Sequence, residues 1–144
     1  MSPRERLKKE AYDKIMRFVE QVKPLKPKLI MLYGSYARGD YTESSDIDVC
    51  VVAEGLPEDI FVRRSLSGLH KVKNLSPVGF HPDEFLEELK RPNLFLYDVL
   101  KEGIVIYDDG FLEKARRTME EEGKRRRIVK SGGKWMFNVQ DDRP

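Results

Sequence analysis

The chain has 144 residues, of which 40% are hydrophobic and 10% aromatic, enough for a folded core and too many for a disordered chain. Its single cysteine, Cys50, excludes an internal disulfide framework and a multi-cysteine zinc site. No apolar run approaches the ~20 residues of a membrane helix, and the charged N-terminus lacks a signal-peptide pattern. We therefore expect a cytoplasmic protein with no membrane span, folded as one domain over residues 1–144, with a core at about 3–128 and a basic C-terminal tail at 129–144.

Charged residues are both abundant and unevenly distributed. They make up 36% of the chain, which contains only three Asn and two Gln, and this bias predicts a thermophilic source. The net charge of +2 indicates no particular partner. Residues 114–134, however, hold nine Lys or Arg against three Glu. We interpret that segment as a solvated helix end, with a nucleic-acid contact as the alternative.

The spacing of apolar residues divides the chain into alternating helices and strands. Ser2, Pro3 and Glu5 form the pattern of a capped helix start. The predicted elements in chain order are a helix at 3–22, strands at 29–33 and 47–53, a helix at 58–73, a strand at 76–81, a helix at 82–90, a helix from Asn93 to Gly103, a strand at 104–107 and a helix at 111–128. This alternation favours an α/β or α+β fold with a small, mostly buried sheet.

Two carboxylates begin the second predicted strand. Asp46 and Asp48 are two residues apart, so on a strand their side chains share one face, while Ile47 and Val49 point into the core. Carboxylates this close repel each other unless a cation lies between them, and hard oxygen ligands favour Mg²⁺ or Mn²⁺ over zinc. The pair predicts a divalent-metal site of the kind that phosphoryl transfer uses.

A glycine-serine turn follows the first predicted strand. Gly34 lets the backbone approach a ligand closely, and a short helix starting at Ser35 would direct free N–H groups towards a phosphate. Arg38, one helical turn further on, either reaches the same anion or forms a surface ion pair with Asp40 or Glu43. A phosphate cradle and a carboxylate pair separated by ten residues together indicate nucleoside triphosphate chemistry.

These motifs resemble a known signature. Gly34-Ser35, ten intervening residues and Asp46-x-Asp48 are similar to the signature of the DNA polymerase β-like nucleotidyltransferase superfamily. The fuller strings Gly-Ser-Tyr-Ala-Arg-Gly-Asp and Ser-Asp-Ile-Asp resemble its minimal nucleotidyltransferase (MNT) branch. The resemblance implies a short mixed sheet flanked by helices. It also implies that Gly34 and Ser35, with Arg38, bind the nucleotide, and that Asp46 and Asp48 are catalytic ligands of Mg²⁺ or Mn²⁺.

The implied reaction is the transfer of a nucleoside monophosphate from an NTP, with ATP preferred, to a hydroxyl group. Many MNT proteins are antitoxins of HEPN-domain proteins, and some of them AMPylate that partner on tyrosine, so a HEPN-domain partner is implied here. Two alternatives stay open. One is a non-catalytic nucleotide-binding or toxin-masking protein of the same fold, and the other is an RNA-end modifying enzyme that uses the basic residues 114–134.

The sequence departs from the family pattern at the third predicted strand. Family enzymes usually supply a third carboxylate there, but residues 76–81 contain none, and we expect Pro77 or Gly79 in its place. Turnover in the absence of a partner is therefore expected to be slow. In the following helices, Phe95, Tyr97 and Leu100 have helical spacing and are expected in the core.

Overall fold

The computed structural model of the chain describes residues 1–137, and its elements from residue 3 to residue 126 follow the predicted order. They are α1 (Pro3–Val22), β1 (Pro27–Tyr33), α2 (Ser35–Arg38), β2 (Ile47–Ala53), α3 (Ile60–Ser65), β3 (Leu75–Phe80), α4 (Pro82–Lys90), α5 (Leu94–Glu102), β4 (Ile104–Asp108), α6 (Phe111–Arg126), β5 (Ile128–Ser131) and β6 (Lys134–Phe137). Within residues 1–137, no helix combines the length and hydropathy that crossing a membrane requires.

Side chains at the helix starts fix several of these boundaries. In α1, Ser2 Oγ accepts a hydrogen bond from the Glu5 N–H at 3.1 Å, and Glu5 Oε1 accepts one from the Ser2 N–H at 3.2 Å. Pro82 opens α4, and Asn93 caps α5 by accepting a hydrogen bond from its first turn. The predicted capping box and both of these helix starts are confirmed.

The helix predicted over 58–73 is wrong in length. α3 ends at Ser65 because Leu66 adopts a left-handed φ of 53°, which an α-helix cannot continue. Leu66 and Val72 are nonetheless buried, so the apolar stripe that predicted a long helix comes from a short helix followed by a packed loop.

Four strands form the mixed sheet that the resemblance implied, and their order is β3-β2-β1-β4. β1 is antiparallel to both β2 and β4, whereas β2 is parallel to β3. The register places Tyr33 beside Asp48 and Asp48 beside Ser76. The end of β1, the start of β2 and the start of β3 therefore meet at one edge of the molecule.

Both faces of the sheet are covered, which explains why its central strands are almost continuously apolar. On one face, Ile15 and Phe18 of α1 pack against Ile30 and Val51. On the other face, α4, α5 and α6 pack against a second cluster that includes Cys50. Burial raises the pKa of the Cys50 thiol to about 12, so this cysteine is a packed apolar side chain.

The segment predicted as a tail from residue 129 is a β-hairpin in its described part. β5 and β6 pair antiparallel across a two-glycine turn, and Trp135 packs edge-to-face on Tyr97 with ring centroids 5.6 Å apart. The strands were missed because each has only four residues, although the Gly132-Gly133 pair between them is a turn signal. Residues 138–144 of the predicted tail lie outside the described residues.

Candidate active site

The turn after β1 depends on a glycine. Gly34 has a φ of 76°, and its carbonyl oxygen accepts hydrogen bonds from the N–H groups of Ala37 and Arg38 at 3.1 and 3.0 Å. A Cβ atom added to Gly34 would lie 2.2 Å from Oδ2 of Asp48. The turn therefore brings bare backbone into direct contact with the Asp48 carboxylate.

A short turn and the start of β2 position the two aspartates. The Thr42 N–H donates a hydrogen bond to Ser45 Oγ at 2.8 Å, closing the turn that leads to Asp46. The next residue, Ile47, is 2% exposed and begins β2 in the core. Because side chains alternate along a strand, Asp48 points to the opposite face from Ile47, as the sequence predicts.

All five predicted site residues, Gly34, Ser35, Arg38, Asp46 and Asp48, line one open pocket of about 500 Å³. Burial raises the pKa of Asp48, the negative charge of Asp46 raises it further, and Arg38 opposes both effects. The two carboxylates and the guanidinium therefore act on one another within the pocket. Arg38 is 58% exposed in its side chain and also forms an ion pair with Asp40 at 3.3 Å.

The donor set fits a divalent cation. Two carboxylates that repel each other gain from a shared cation, and their oxygen atoms are the ligands that Mg²⁺ and Mn²⁺ favour. Within residues 1–137, no third His, Cys, Asp or Glu joins Asp46 and Asp48 in a ligand cluster. Mg²⁺ accepts water and phosphate oxygens readily, so two protein carboxylates suffice for binding with a triphosphate.

The position facing the pocket from β3 differs from the one we predicted. Because Asp48 pairs with Ser76 in parallel register, the β3 side chains on its face are Ser76, Val78 and Phe80, none of which is acidic. Gly79 lies on the opposite face, where an added Cβ would be 2.3 Å from the carbonyl oxygen of Arg63. The prediction that Pro77 or Gly79 stands in the acidic position is therefore wrong.

One face of α5 forms a further wall of the pocket, which the sequence analysis missed. Phe95, Asp98, Val99 and Glu102 line it. The last three follow Phe95 by three, four and seven residues, and residues with this spacing share one helix face. That spacing was the sequence signal that could have identified the wall. Phe95, predicted as a core residue, is 43% exposed, and its ring forms a T-shaped contact with the ring of Tyr33 at 5.2 Å between centroids.

The β5–β6 hairpin forms hydrogen bonds with the carboxylates of this wall. Lys130 Nζ donates hydrogen bonds to Asp98 Oδ1 and, at 3.1 Å, to Glu102 Oε2. Trp135 Nε1 donates to the same Asp98 oxygen at 2.9 Å. Two hairpin side chains therefore hold a carboxylate that lines the pocket.

Comparison with known proteins identifies the family. A family model described as polymerase beta, nucleotidyltransferase matches residues 13–110, which is more than half of the chain and includes all five predicted site residues. The chain belongs to this nucleotidyltransferase family. The matched region ends before α6 and the hairpin, so Lys130 and Trp135 lie outside it, whereas their partners Asp98 and Glu102 lie inside it.

Curated relatives carry a more specific name. Two proteins of Methanocaldococcus jannaschii, each named "putative protein adenylyltransferase", are 67% identical over 27 residues and 34% identical over 86 residues. These matches cover 19% and 55% of this chain, and 27% and 57% of the relatives. The chain thus spans about a quarter to just over half of their length.

A solved structure described as a toxin-antitoxin with AMP-PNP is also similar. The TM-score is 0.48 and the sequence identity 20%, over 77% of this chain and 90% of that chain. At that level of similarity, no residue role passes from it to this chain.

Proposed function

We propose that this chain transfers AMP from ATP to a hydroxyl group of a protein partner, with Mg²⁺ or Mn²⁺ bound at Asp46 and Asp48. The observation that carries the proposal is the contact between the Gly34 turn and the Asp48 carboxylate inside one pocket. A phosphate-binding turn and a metal-binding pair must be this close if the same triphosphate is to touch both. Family membership supports the reaction class.

The residues of the pocket would have two roles, phosphate binding and cation binding. The Ser35 hydroxyl and backbone N–H, with the Arg38 guanidinium, would bind phosphate oxygens. Asp46 and Asp48 would hold the cation, which lowers the pKa of an attacking hydroxyl and neutralises charge on the leaving group when it is bound. In the reaction, the acceptor oxygen bonds to the α-phosphorus, the bond to the β-phosphate breaks, and pyrophosphate leaves. The hydroxyl proton passes to solvent.

The protein target and the partner class have separate support. The name of the curated relatives favours a protein acceptor. The MNT resemblance favours a HEPN-domain protein as the partner and an antitoxin role. ATP as the donor is consistent with a cytoplasmic location.

A second candidate is a protein of this fold that masks a toxin without modifying it. The lack of an acidic side chain on the pocket face of β3 favours this candidate, because one ligand of the reacting site is then missing. An RNA-end modifying activity has less support. Three arginines of the basic segment, Arg117, Arg125 and Arg126, have glutamate partners on the same helix, and Lys130 is paired with Asp98 and Glu102.

The experiment is label transfer from ATP labelled at the α-phosphate to a co-purified HEPN-domain partner, with Mg²⁺ or Mn²⁺. We expect the label on the partner with the wild type and none with Asp48→Asn. Binding of the partner without label would favour the masking role. Label on RNA and not on protein would favour the third interpretation.

A further inference from the structure

The pocket contains groups that suit both parts of a nucleotide. Its lining includes Arg38 and the Gly34-Ser35 turn, and it also includes Asp98 and Glu102 of α5. Unlike the aspartate pair that holds the cation, the α5 carboxylates have no cation to share with a triphosphate, so they favour an uncharged part of the substrate. The nucleoside is the uncharged part of ATP.

Phe95 supplies an apolar surface on the α5 wall of the pocket. Its ring is fixed by edge-to-face contact with Tyr33, at 5.2 Å and 78°, yet 43% of the residue remains exposed, and it lines the pocket. A supported aromatic ring with an open face suits stacking of a base. A core phenylalanine would bury both faces, as Phe85 does at 0% exposure.

Asp98 is held in place for polar contacts. Its Oδ1 accepts hydrogen bonds from Trp135 and Lys130, and Lys130 also binds Glu102 Oε2. Because these bonds use one oxygen of each carboxylate, Asp98 Oδ2 and Glu102 Oε1 are left with no donor among residues 1–137. Two such acceptors match the adjacent hydroxyl groups of a ribose.

We propose that α5 forms the nucleoside subsite of the pocket. Phe95 stacks on the base, Asp98 accepts a hydrogen bond from the ribose, and Trp135 and Lys130 of the hairpin are positioning residues for Asp98. The inference rests on the proposed function, since it assumes that the triphosphate lies at Gly34 and Ser35.

Binding measurements test the stacking surface. Isothermal titration with Mg²⁺ compares ATP with inorganic tripolyphosphate, which lacks the nucleoside. Wild type is expected to bind ATP more tightly than tripolyphosphate, and Phe95→Ala is expected to weaken ATP binding about tenfold while leaving tripolyphosphate unchanged. Phe95→Trp should retain ATP affinity, whereas Phe95→Leu, which keeps apolar bulk without an aromatic face, should lose it.

A second pair of ligands tests the hairpin. Trp135→Phe keeps an aromatic ring but deletes the N–H that reaches Asp98. Wild type should prefer ATP to 2′,3′-dideoxy-ATP, and both Trp135→Phe and Asp98→Ala should reduce that preference. A merely structural role would weaken binding of the two nucleotides equally and would overturn the assignment of Trp135.

The outcomes separate this inference from the proposed function. If wild type binds neither ATP nor tripolyphosphate, the proposed function is wrong and the subsite is wrong with it. If ATP binds and Asp48→Asn abolishes that binding, but Phe95→Ala does not change it, only the nucleoside subsite is wrong. Loss of label transfer in Phe95→Ala with unchanged ATP affinity would instead assign α5 to the acceptor.

Discussion

Gly34 and Asp48 are in such close contact that one methyl group at position 34 should separate the turn from the carboxylate. An added Cβ would lie 2.2 Å from Asp48 Oδ2 at a φ of 76°. We expect Gly34→Ala to lower the free energy of unfolding by about 1–3 kcal/mol and to abolish ATP binding. Chemical denaturation and titration calorimetry measure the two effects.

Gly39→Ala is the matched control for this variant. Gly39 also has a left-handed φ, of 94°, but an added Cβ there would meet nothing within 4 Å. Gly39→Ala should therefore lower the free energy of unfolding through backbone strain alone and leave ATP binding unchanged. Equal losses of binding in the two variants would show that the contact with Asp48 does not matter.

A third carboxylate can be introduced at Ser76, the β3 position that pairs with Asp48. Ser76 lies beside Asp48 on the same face, so Ser76→Asp should place an acid next to the pair. Without metal, the added repulsion should lower the thermal midpoint. Mg²⁺ or Mn²⁺ should raise the midpoint of this variant by more than that of wild type, and the rate of AMP transfer should increase. Differential scanning calorimetry with and without metal measures the shift.

Two substitutions bracket this prediction. Ser76→Asn introduces a side chain of the same size as aspartate but without its charge. Its thermal midpoint should therefore rise with metal by no more than that of wild type. Gly79→Asp points to the other face and into the backbone of α3, so it should only destabilise the fold. Transfer raised by Gly79→Asp and unchanged by Ser76→Asp would contradict the β3 register.

At the scale of elements, α3 is joined to α4 by a partly buried ion-pair cluster. Glu84 accepts hydrogen bonds from Arg63 at 2.9 and 3.0 Å and lies 2.8 Å from Arg64. Although burial alone would raise its pKa, the bonds from Arg64, Arg63 and the His81 N–H lower the pKa of Glu84 to about 2. This carboxylate is therefore committed to the fold and does not reach the pocket.

Replacing Glu84 should change both stability and its dependence on pH. Glu84→Gln is expected to lower the free energy of unfolding at pH 7 by about 2 kcal/mol, because charged hydrogen bonds are lost from the buried Arg63 and the partly buried Arg64. A depressed carboxylate pKa stabilises the fold above its unfolded value, and that stability disappears as the pH falls from 4.5 towards about 2. Urea denaturation across this range should show a smaller pH dependence in the variant.

Glu87→Gln is the control on the same helix. Glu87 is 74% exposed and faces Lys90 at 3.6 Å, a geometry in which an ion pair contributes little. Its removal should leave unfolding almost unchanged. An equal loss in the two variants would contradict a stabilising role for the Glu84 cluster.

The sequence predicted those elements and site residues whose cause is local. The Ser2 and Glu5 capping box, Pro82 at the start of α4, and the spacing of Asp46 and Asp48 are all set by neighbouring residues. The α5 wall was missed because Phe95 has the helical spacing of a core residue, and only tertiary packing decides that it faces a pocket. Likewise, the sequence does not give the pairing of β2 with β3, and only that register shows that Ser76, and not Pro77 or Gly79, lies beside Asp48.

At the scale of the whole molecule, ion pairs connect elements that are distant in the chain. Lys28 on β1 lies 3.2 Å from both Glu54, which follows β2, and Asp109, which follows β4. It thus ties the ends of three strands at one edge of the sheet. Lys130 does the same for the hairpin and α5.

Such networks should matter most at high temperature. The cost of removing water from charged groups falls as temperature rises, so networks of this kind stabilise hot proteins more than isolated pairs do at 25 °C. Together with the low amide content, this predicts a thermal midpoint above about 75 °C, beyond the range typical of mesophilic domains. Because the pairs are partly exposed, 1 M NaCl should lower the midpoint by screening them.

Lys28→Met tests whether the long-range network is responsible. It keeps the apolar part of the side chain and removes the charge between Glu54 and Asp109, so the midpoint measured by circular dichroism should fall by several degrees and become less sensitive to salt. Lys23→Met removes a charge whose partner among residues 1–137 is Glu20, three residues earlier in the chain, and should change the midpoint by much less. A wild-type midpoint of about 45–65 °C, or equal shifts in the two variants, would mean that abundant charge in this chain serves solubility and not thermal stability.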